Sequence, residues 1–282
     1  MSGTRPNTRV RLRFCKLGKV RFCSHRDVAR IWERALHRAG LPLALTEGFN
    51  PRIKVHFGLA LPTGYESMGE YLDVDLRSQD LSGSELSDLP SVLSAVLPEG
   101  IDVQSAATVD TAETSLQQAV TACTWHVEVI GLTTAQLSQA AAELMSATSV
   151  MVTRERKGRE VRDDIRPCVQ RIEVMGKPGI CSGASGGSGA IASPASGPMS
   201  AMVTDLGTQP RGLRPAELLS AMVPEGHELI ATASGMLGQA SARPVSEGHV
   251  CRMNQWIDDG QGARHEPLAA QRPVPHASCR AS

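Results

Sequence analysis

The chain has 282 residues, a 41% apolar fraction, only 3% aromatics and a formal net charge of zero. That length holds one large domain or two small ones, with a core built mainly from aliphatic side chains. Seven cysteines, an odd count with no C-x-x-C spacing, argue against a disulfide framework and against a structural zinc site of the usual kind. The zero average hides a segregation of charge. Residues 1–60 hold 10 Arg and 3 Lys against 1 Asp and 2 Glu, a net of +10, whereas residues 61–150 hold one Arg against 13 acids, a net of −12. Either the basic part meets an anionic partner, or the two regions neutralise each other internally. The polar, basic start from Met1 to Arg13 has no apolar h-region, and no apolar run reaches bilayer length. A cytoplasmic protein with reduced thiols and no membrane contact is expected.

In chain order, residues 9–15 alternate Arg9, Arg11 and Arg13 with Val10, Leu12 and Phe14. This predicts a half-buried strand with a cationic outer face. Ser24 and Asp27 form a capping box, so a helix starts at His25. Val28, Ile31, Trp32, Ala35, Leu36 and Ala39 supply its apolar stripe; Gly40 and Pro42 end it. Strands follow at about 42–46 and 53–59 around a loop, then at 71–76. A helix over 83–97 and a strand near 101–108 complete a first unit, 9–108, in the order β-α-β-β-α-β.

After a polar linker at 109–121 the order begins again. A strand at 125–130 and a helix capped by Thr133 or Thr134 and running to about Ser146 come first. Strands at 149–157 and 168–175 surround a charged bend. A strand at 201–206, a helix from Pro215 to Met222 and a closing strand at 228–232 finish a second unit, 122–235. The Gly/Ser-rich stretch 182–200 is expected to be a flexible loop, and 243–282, with four prolines and no sustained period, a disordered tail. The fold class is therefore α+β, two ferredoxin-like units in tandem.

Four constellations could carry function. Arg26, Arg30, Arg34 and Arg38 share one helix face, opposite the apolar stripe, and suit phosphate contact. His25 begins that helix and could serve as general base on a ribose hydroxyl, with His56 as a partner acid. Both are weak catalytic candidates, since histidines near caps are usually structural. In the loop Gly48-Phe49-Asn50-Pro51-Arg52, Phe49 and Asn50 could stack on and hydrogen-bond an exposed base, unless Phe49 plugs the core beneath the turn. Arg154, Arg156, Lys157 and Arg159 form a basic hairpin tip, with Asp164 and Arg166 bracing the turn behind it. No P-loop, dinucleotide fingerprint, serine-hydrolase elbow or H-E-x-x-H is present, and no metal ligands are assigned.

These motifs resemble a known family. Lys16-x-Gly18, Ser24-His25-x-Asp27, Arg34-Ala35-Leu36-x-Arg38-Ala39-Gly40-Leu41-Pro42, Gly48-Phe49-Asn50-Pro51 and Glu70-Tyr71-Leu72-Asp73 are similar to the radical-SAM-linked protein family, a bacterial domain of unknown function. Arg156-Lys157-Gly158 and Asp164-Ile165-Arg166-Pro167 also fit its pattern, over about residues 9–235. Arg52 departs from it, standing where many relatives carry histidine, and His56 takes a serine-like position, which weakens a catalytic role for histidine.

The resemblance implies a separate radical SAM enzyme as partner, holding the iron–sulfur cluster and S-adenosylmethionine; no cofactor is expected in this chain. The function expected is a non-catalytic accessory protein that binds tRNA or rRNA, or docks that enzyme, and presents the substrate. The alternatives are a metal-independent RNA-processing enzyme with His25 as general base, and a purely protein-binding subunit.

Overall fold

The computed structural model describes residues 7–77, 83–176, 198–223 and 245–269. It is a mixed α+β protein, rich in strands and poor in helices. The expected strand at 228–232 and residues 182–197 of the expected loop lie outside the described residues. Two compact units are present: residues up to Thr121 together with Arg252 onward, and Ala122–Cys251.

In the first unit, β1 (Thr8–Lys16) is followed by a 3-10 turn at Gly18–Phe22 and by α1 (His25–Arg38). Next come β2 (Val55–Phe57), β3 (Glu66–Leu76), α2 (Gly83–Val96) and β4 (Ile101–Val109). The piece expected as a strand at 42–46 makes only isolated bridges, Leu43 to Leu76 and Leu45 to Ile53. β1 lies between β3 and β4, antiparallel to both, and β2 adds to the far edge of β3. One face of this sheet carries Val10, Leu12, Phe14, Leu72, Val74 and Val103, all buried against α1 and α2. Phe14 meets Trp32 of α1 edge-on, 4.8 Å between centroids.

The opposite face corrects the expectation of a cationic outer surface. Arg11 and Arg13 are buried. The register sets Arg9 across from Asp75, Arg11 across from Asp73 and Arg13 across from Tyr71. Arg9 and Arg11 each make bidentate contacts to their aspartates, with shortest distances of 2.8 Å. Arg13 reaches Gln104 and Glu266, and Glu113 adds a second acid to Arg11 at 3.4 Å. Alternation had marked these positions as polar, and a polar face is usually a wet one. Here carboxylates at matching register positions take the place of water.

A second correction concerns the tail. Within 243–282, residues Ser246–Asp258 form the long strand β10, and Arg264–His265 form β11, which pairs with it; the chain-order labels β5–β9 belong to the second unit. In the first unit β10 lies beside β3. Its polarity hid it: Arg252 and Gln255 are buried, yet each has a partner far away in sequence. Arg252 grips Glu70 and the Leu59 carbonyl, and Gln255 donates to the Gly69 carbonyl at 2.8 Å.

At the end of the first unit a short helix, α3 (Leu116–Ala119), occupies part of the expected linker and leads into β5 (Val120–Ile130), which continues into the second unit. α4 (Thr134–Ser146) starts at a capping box made by Thr133 and Gln136. β6 (Met151–Arg156), within the strand expected at 149–157, pairs with β7 (Arg159–Asp164) in a separate hairpin; β7 takes the place of the expected charged bend. β8 (Val169–Met175), β9 (Met199–Gly207) and α5 (Pro215–Met222) follow. The strand order is β10-β5-β9-β8. Among the described residues no helix is long and apolar enough to cross a membrane.

Candidate functional site

The site begins with the N-cap of α1. The Ser24 hydroxyl oxygen accepts from the Asp27 backbone N–H at 3.3 Å and its own proton goes to the Asp27 carboxylate at 2.7 Å. That hydroxyl holds the exposed Asp27 carboxyl below its ordinary range, with smaller help from Arg30 and Arg26. The cap fixes where the helix starts and therefore which residues face outward. Val28, Trp32, Ala35 and Leu36 are buried. Arg26, Arg30, Arg34 and Arg38 are all exposed on the other side. Gly40, at φ +69°, ends the helix in the left-handed conformation that a side chain would disfavour.

Among these arginines only Arg30 touches an acid among the described residues, Asp27 at 3.5 Å, with both side chains more than half exposed. Such a pair contributes little. Arg26, Arg34 and Arg38 make no ion pair among the described residues. The helix thus presents a face of nearly one sign, while the arginines of β1 are neutralised.

The loop at 48–52 is the tip of a small hairpin. Leu45 bridges Ile53, the Thr46 N–H donates to the Arg52 carbonyl at 2.8 Å, and the Arg52 N–H donates to Thr46 Oγ1 at 3.0 Å. Phe49 is fully exposed, so it does not plug the core. Asn50 and Arg52 are exposed beside it in sequence.

The two histidines are not brought together. His25 is exposed at the start of α1 and packs edge-on against Phe57, 5.2 Å between centroids. His56 precedes Phe57 on β2, and alternation turns it to the other face of the strand, where Nε2 lies 3.9 Å from Asp75. A concerted acid–base pair is therefore not assembled.

The basic tip lies in the second unit. Lys157 and Gly158, at φ +53° and +72°, form the two-residue turn between β6 and β7, the geometry favoured by twisted hairpins. Lys157 is exposed and Arg156 closes β6. Arg154 binds Asp163 at 2.6 Å. Asp164 accepts from the Val150 and Arg166 backbone N–H groups at 2.8 and 3.0 Å, and Arg166 in turn donates to the Met145 and Val169 carbonyls. The bracing role expected of Asp164 and Arg166 is what the geometry provides.

The sequence reading overlooked one further cluster. Lys16, Glu70 and Arg252 are all buried in the first unit, and the first two line a cleft at the start of α1. Lys16 and Glu70 stood in recognisable motifs, but nothing local distinguished them from surface charges. Arg252 fell in the supposed tail.

Over residues 9–194, well over half of the chain, the sequence matches the family described as "Uncharacterized protein conserved in bacteria (DUF2344)". The chain belongs to this family. No curated protein matches the chain. The matched span of this DUF2344 protein includes α1, the 48–52 loop and the β6–β7 hairpin.

Proposed function

We propose that this DUF2344 protein is a non-catalytic accessory subunit that binds RNA, of the tRNA or rRNA class, through α1 and the 48–52 loop. It would present that RNA to a separate radical SAM enzyme, which holds the iron–sulfur cluster and S-adenosylmethionine, in the cytoplasm. The observation that carries the reading is the division of labour among arginines. Those of β1 are consumed by Asp73, Asp75 and Glu266, while those of α1 stay exposed with a single weak acid contact among the described residues. Phosphates are the common ligand of such a face. The fully exposed Phe49 adds a stacking surface that a protein partner does not require. The strand orders, β4-β1-β3 with β2 outermost and β10-β5-β9-β8, support reading both units as ferredoxin-like, with β6–β7 inserted in the second.

Filter binding of a tRNA pool across a salt series tests this reading. The Arg30→Glu/Arg34→Glu protein should bind about 100-fold more weakly and with a shallower salt slope. Unchanged affinity overturns RNA binding. Co-purification of a radical SAM enzyme after nuclease treatment, with no RNA affinity, would instead identify α1 as a protein-docking face. The reading as a metal-independent RNA-processing enzyme keeps His25 but loses His56, which points elsewhere.

A further inference from the structure

Aromatic rings are scarce in this chain, so the places of the exposed ones are informative. Of its four Phe, three Trp and two Tyr, all within the described residues, only Phe22 and Phe49 are exposed. Phe49 lies in the loop already considered. Phe22, 63% exposed, ends the 3-10 turn just before α1. A single exposed phenylalanine needs no explanation. Phe22 differs in how it is mounted and in where it stands.

The mounting is rigid. The Arg21 carbonyl accepts from the Gly64 N–H at 2.8 Å and from the Lys16 ammonium at 3.4 Å, and the Cys23 carbonyl accepts from the same ammonium at 3.1 Å. Lys16 is buried, so the backbone on either side of Phe22 is tied to β1. The Arg21 guanidinium sits over the Phe22 ring, 4.7 Å from its centroid, and is held there by the buried Glu66 at 3.0 Å. The Gly18 N–H fixes Glu66 in turn at 2.8 Å. One face of the ring is therefore backed by a cation that already has its counter-charge, while the ring stays open to solvent. A pre-ordered aromatic plate of this kind stacks on another flat π-system at little entropic cost.

The position of Phe22 completes a line. β1 ends at Lys16, which reaches Cys23 at the start of α1; it begins at Thr8, level with Leu76, and Leu43 bridges Leu76 soon after α1 has ended. Phe22 thus stands at the first end of α1, and the chain runs to the 48–52 loop from the last. Between them lie 14 helical residues, about 21 Å, carrying the exposed Arg26, Arg30, Arg34 and Arg38. Cations between two separated aromatic plates match a polymer that alternates phosphates with flat bases. A base inside a duplex is stacked on both faces and shows a protein only its edges, so these rings suit unpaired nucleotides.

We propose that the RNA segment taken by this face is single-stranded: its phosphates follow the α1 arginines, one unpaired base stacks on Phe22, and another, farther along the strand, stacks on Phe49. This rests on the RNA reading of α1 and adds to it the strandedness of the ligand and Phe22 as a stacking residue.

Fluorescence anisotropy on the intact protein tests it, with a labelled oligoribonucleotide of about 12 nucleotides, within the usual single-strand site sizes, offered alone and annealed to its complement. The single strand should bind about 10-fold or more tightly than the duplex. Phe22→Ala should weaken single-strand binding about tenfold and leave the salt slope unchanged, because a neutral ring displaces no counter-ions. Phe22→Trp, which keeps a ring, should bind as the native protein does. Equal affinity for the two RNA forms, or native single-strand affinity in Phe22→Ala, overturns the proposal; if Arg30→Glu/Arg34→Glu still loses affinity in that case, the RNA reading stands without it. Native affinity in the arginine variant overturns both. Loss of a co-purifying protein from Phe22→Ala, with single-strand affinity intact, assigns the ring to a protein contact and also overturns the proposal.

Discussion

β1 and α1 are neighbours in sequence and both are rich in arginine, yet the two sets have opposite fates. Arg11 and Arg13 are buried and matched to acids more than fifty residues away. Arg34 and Arg38 stand in water with no ion pair among the described residues. The difference comes from geometry. On the antiparallel pair β1–β3 the register aligns Arg9 with Asp75 and Arg11 with Asp73. On α1, among the described residues, no carboxylates at the same spacing pair with the polar face, and only Asp27 of the helix itself touches Arg30. An arginine count therefore says little about a docking surface until the paired ones are removed, and what is left of the β1–α1 segment lies on α1.

The comparison breaks most readily at Arg11. Arg11→Ala leaves Asp73 buried without its partner and should cost about 3–5 kcal/mol in urea unfolding. Arg34→Ala should stay within about 0.5 kcal/mol. Equal losses would show that the two sets are not distinct. Arg252→Ala, which strands Glu70, should resemble Arg11→Ala and would establish that β10 is part of the folded unit. In the other direction, Arg30→Glu/Arg34→Glu should lower RNA affinity about 100-fold with little change in stability, the reverse of the Arg11 pattern.

Smaller effects sharpen the picture. Phe49→Ala should leave the melting temperature unchanged, because the ring buries nothing, and should weaken RNA binding about tenfold through a lost stack. The smallest change concerns Asp164. Hydrogen bonds from the Val150 and Arg166 N–H groups hold its carboxyl below the ordinary value of about 3.9. Its contribution is therefore complete above that pH and is lost only as pH falls through the lower, folded-state value. Amide shifts of Val150 and Arg166 should titrate together below pH about 3.9; a midpoint at or above it would remove Asp164 from the turn.

Much of the local architecture was legible because it depends on neighbours in sequence. The Ser24 cap, the Trp32-centred stripe and the Gly40 stop act within a few residues, and α1 starts and ends where they place it. The α4 cap, narrowed to Thr133 or Thr134, and the basic tip around Lys157-Gly158 were legible in the same way, and the structure selects Thr133. The failures share a cause. β10 carries Arg252, Asn254 and Gln255, polar residues whose partners Glu70, Glu266 and the Gly69 carbonyl lie elsewhere in the chain or across a turn. Read alone, such a strand has no apolar period. Phe49 posed the converse difficulty, since an aromatic in a loop fits the core as well as solvent until the hairpin around it is seen.

Sequence alone thus determined the four longer helices, the caps that start α1 and α4, several turns and the presence of an arginine stripe, since these follow from short-range hydrogen bonding and periodicity. Only the tertiary structure decided which charges remain available. Register pairs β1 with β3, the late strand β10 brings Arg252 to Glu70, and Lys16 is buried against the Arg21 and Cys23 carbonyls. Electrostatic cancellation depends on distance through space, and no local pattern in the chain encodes it.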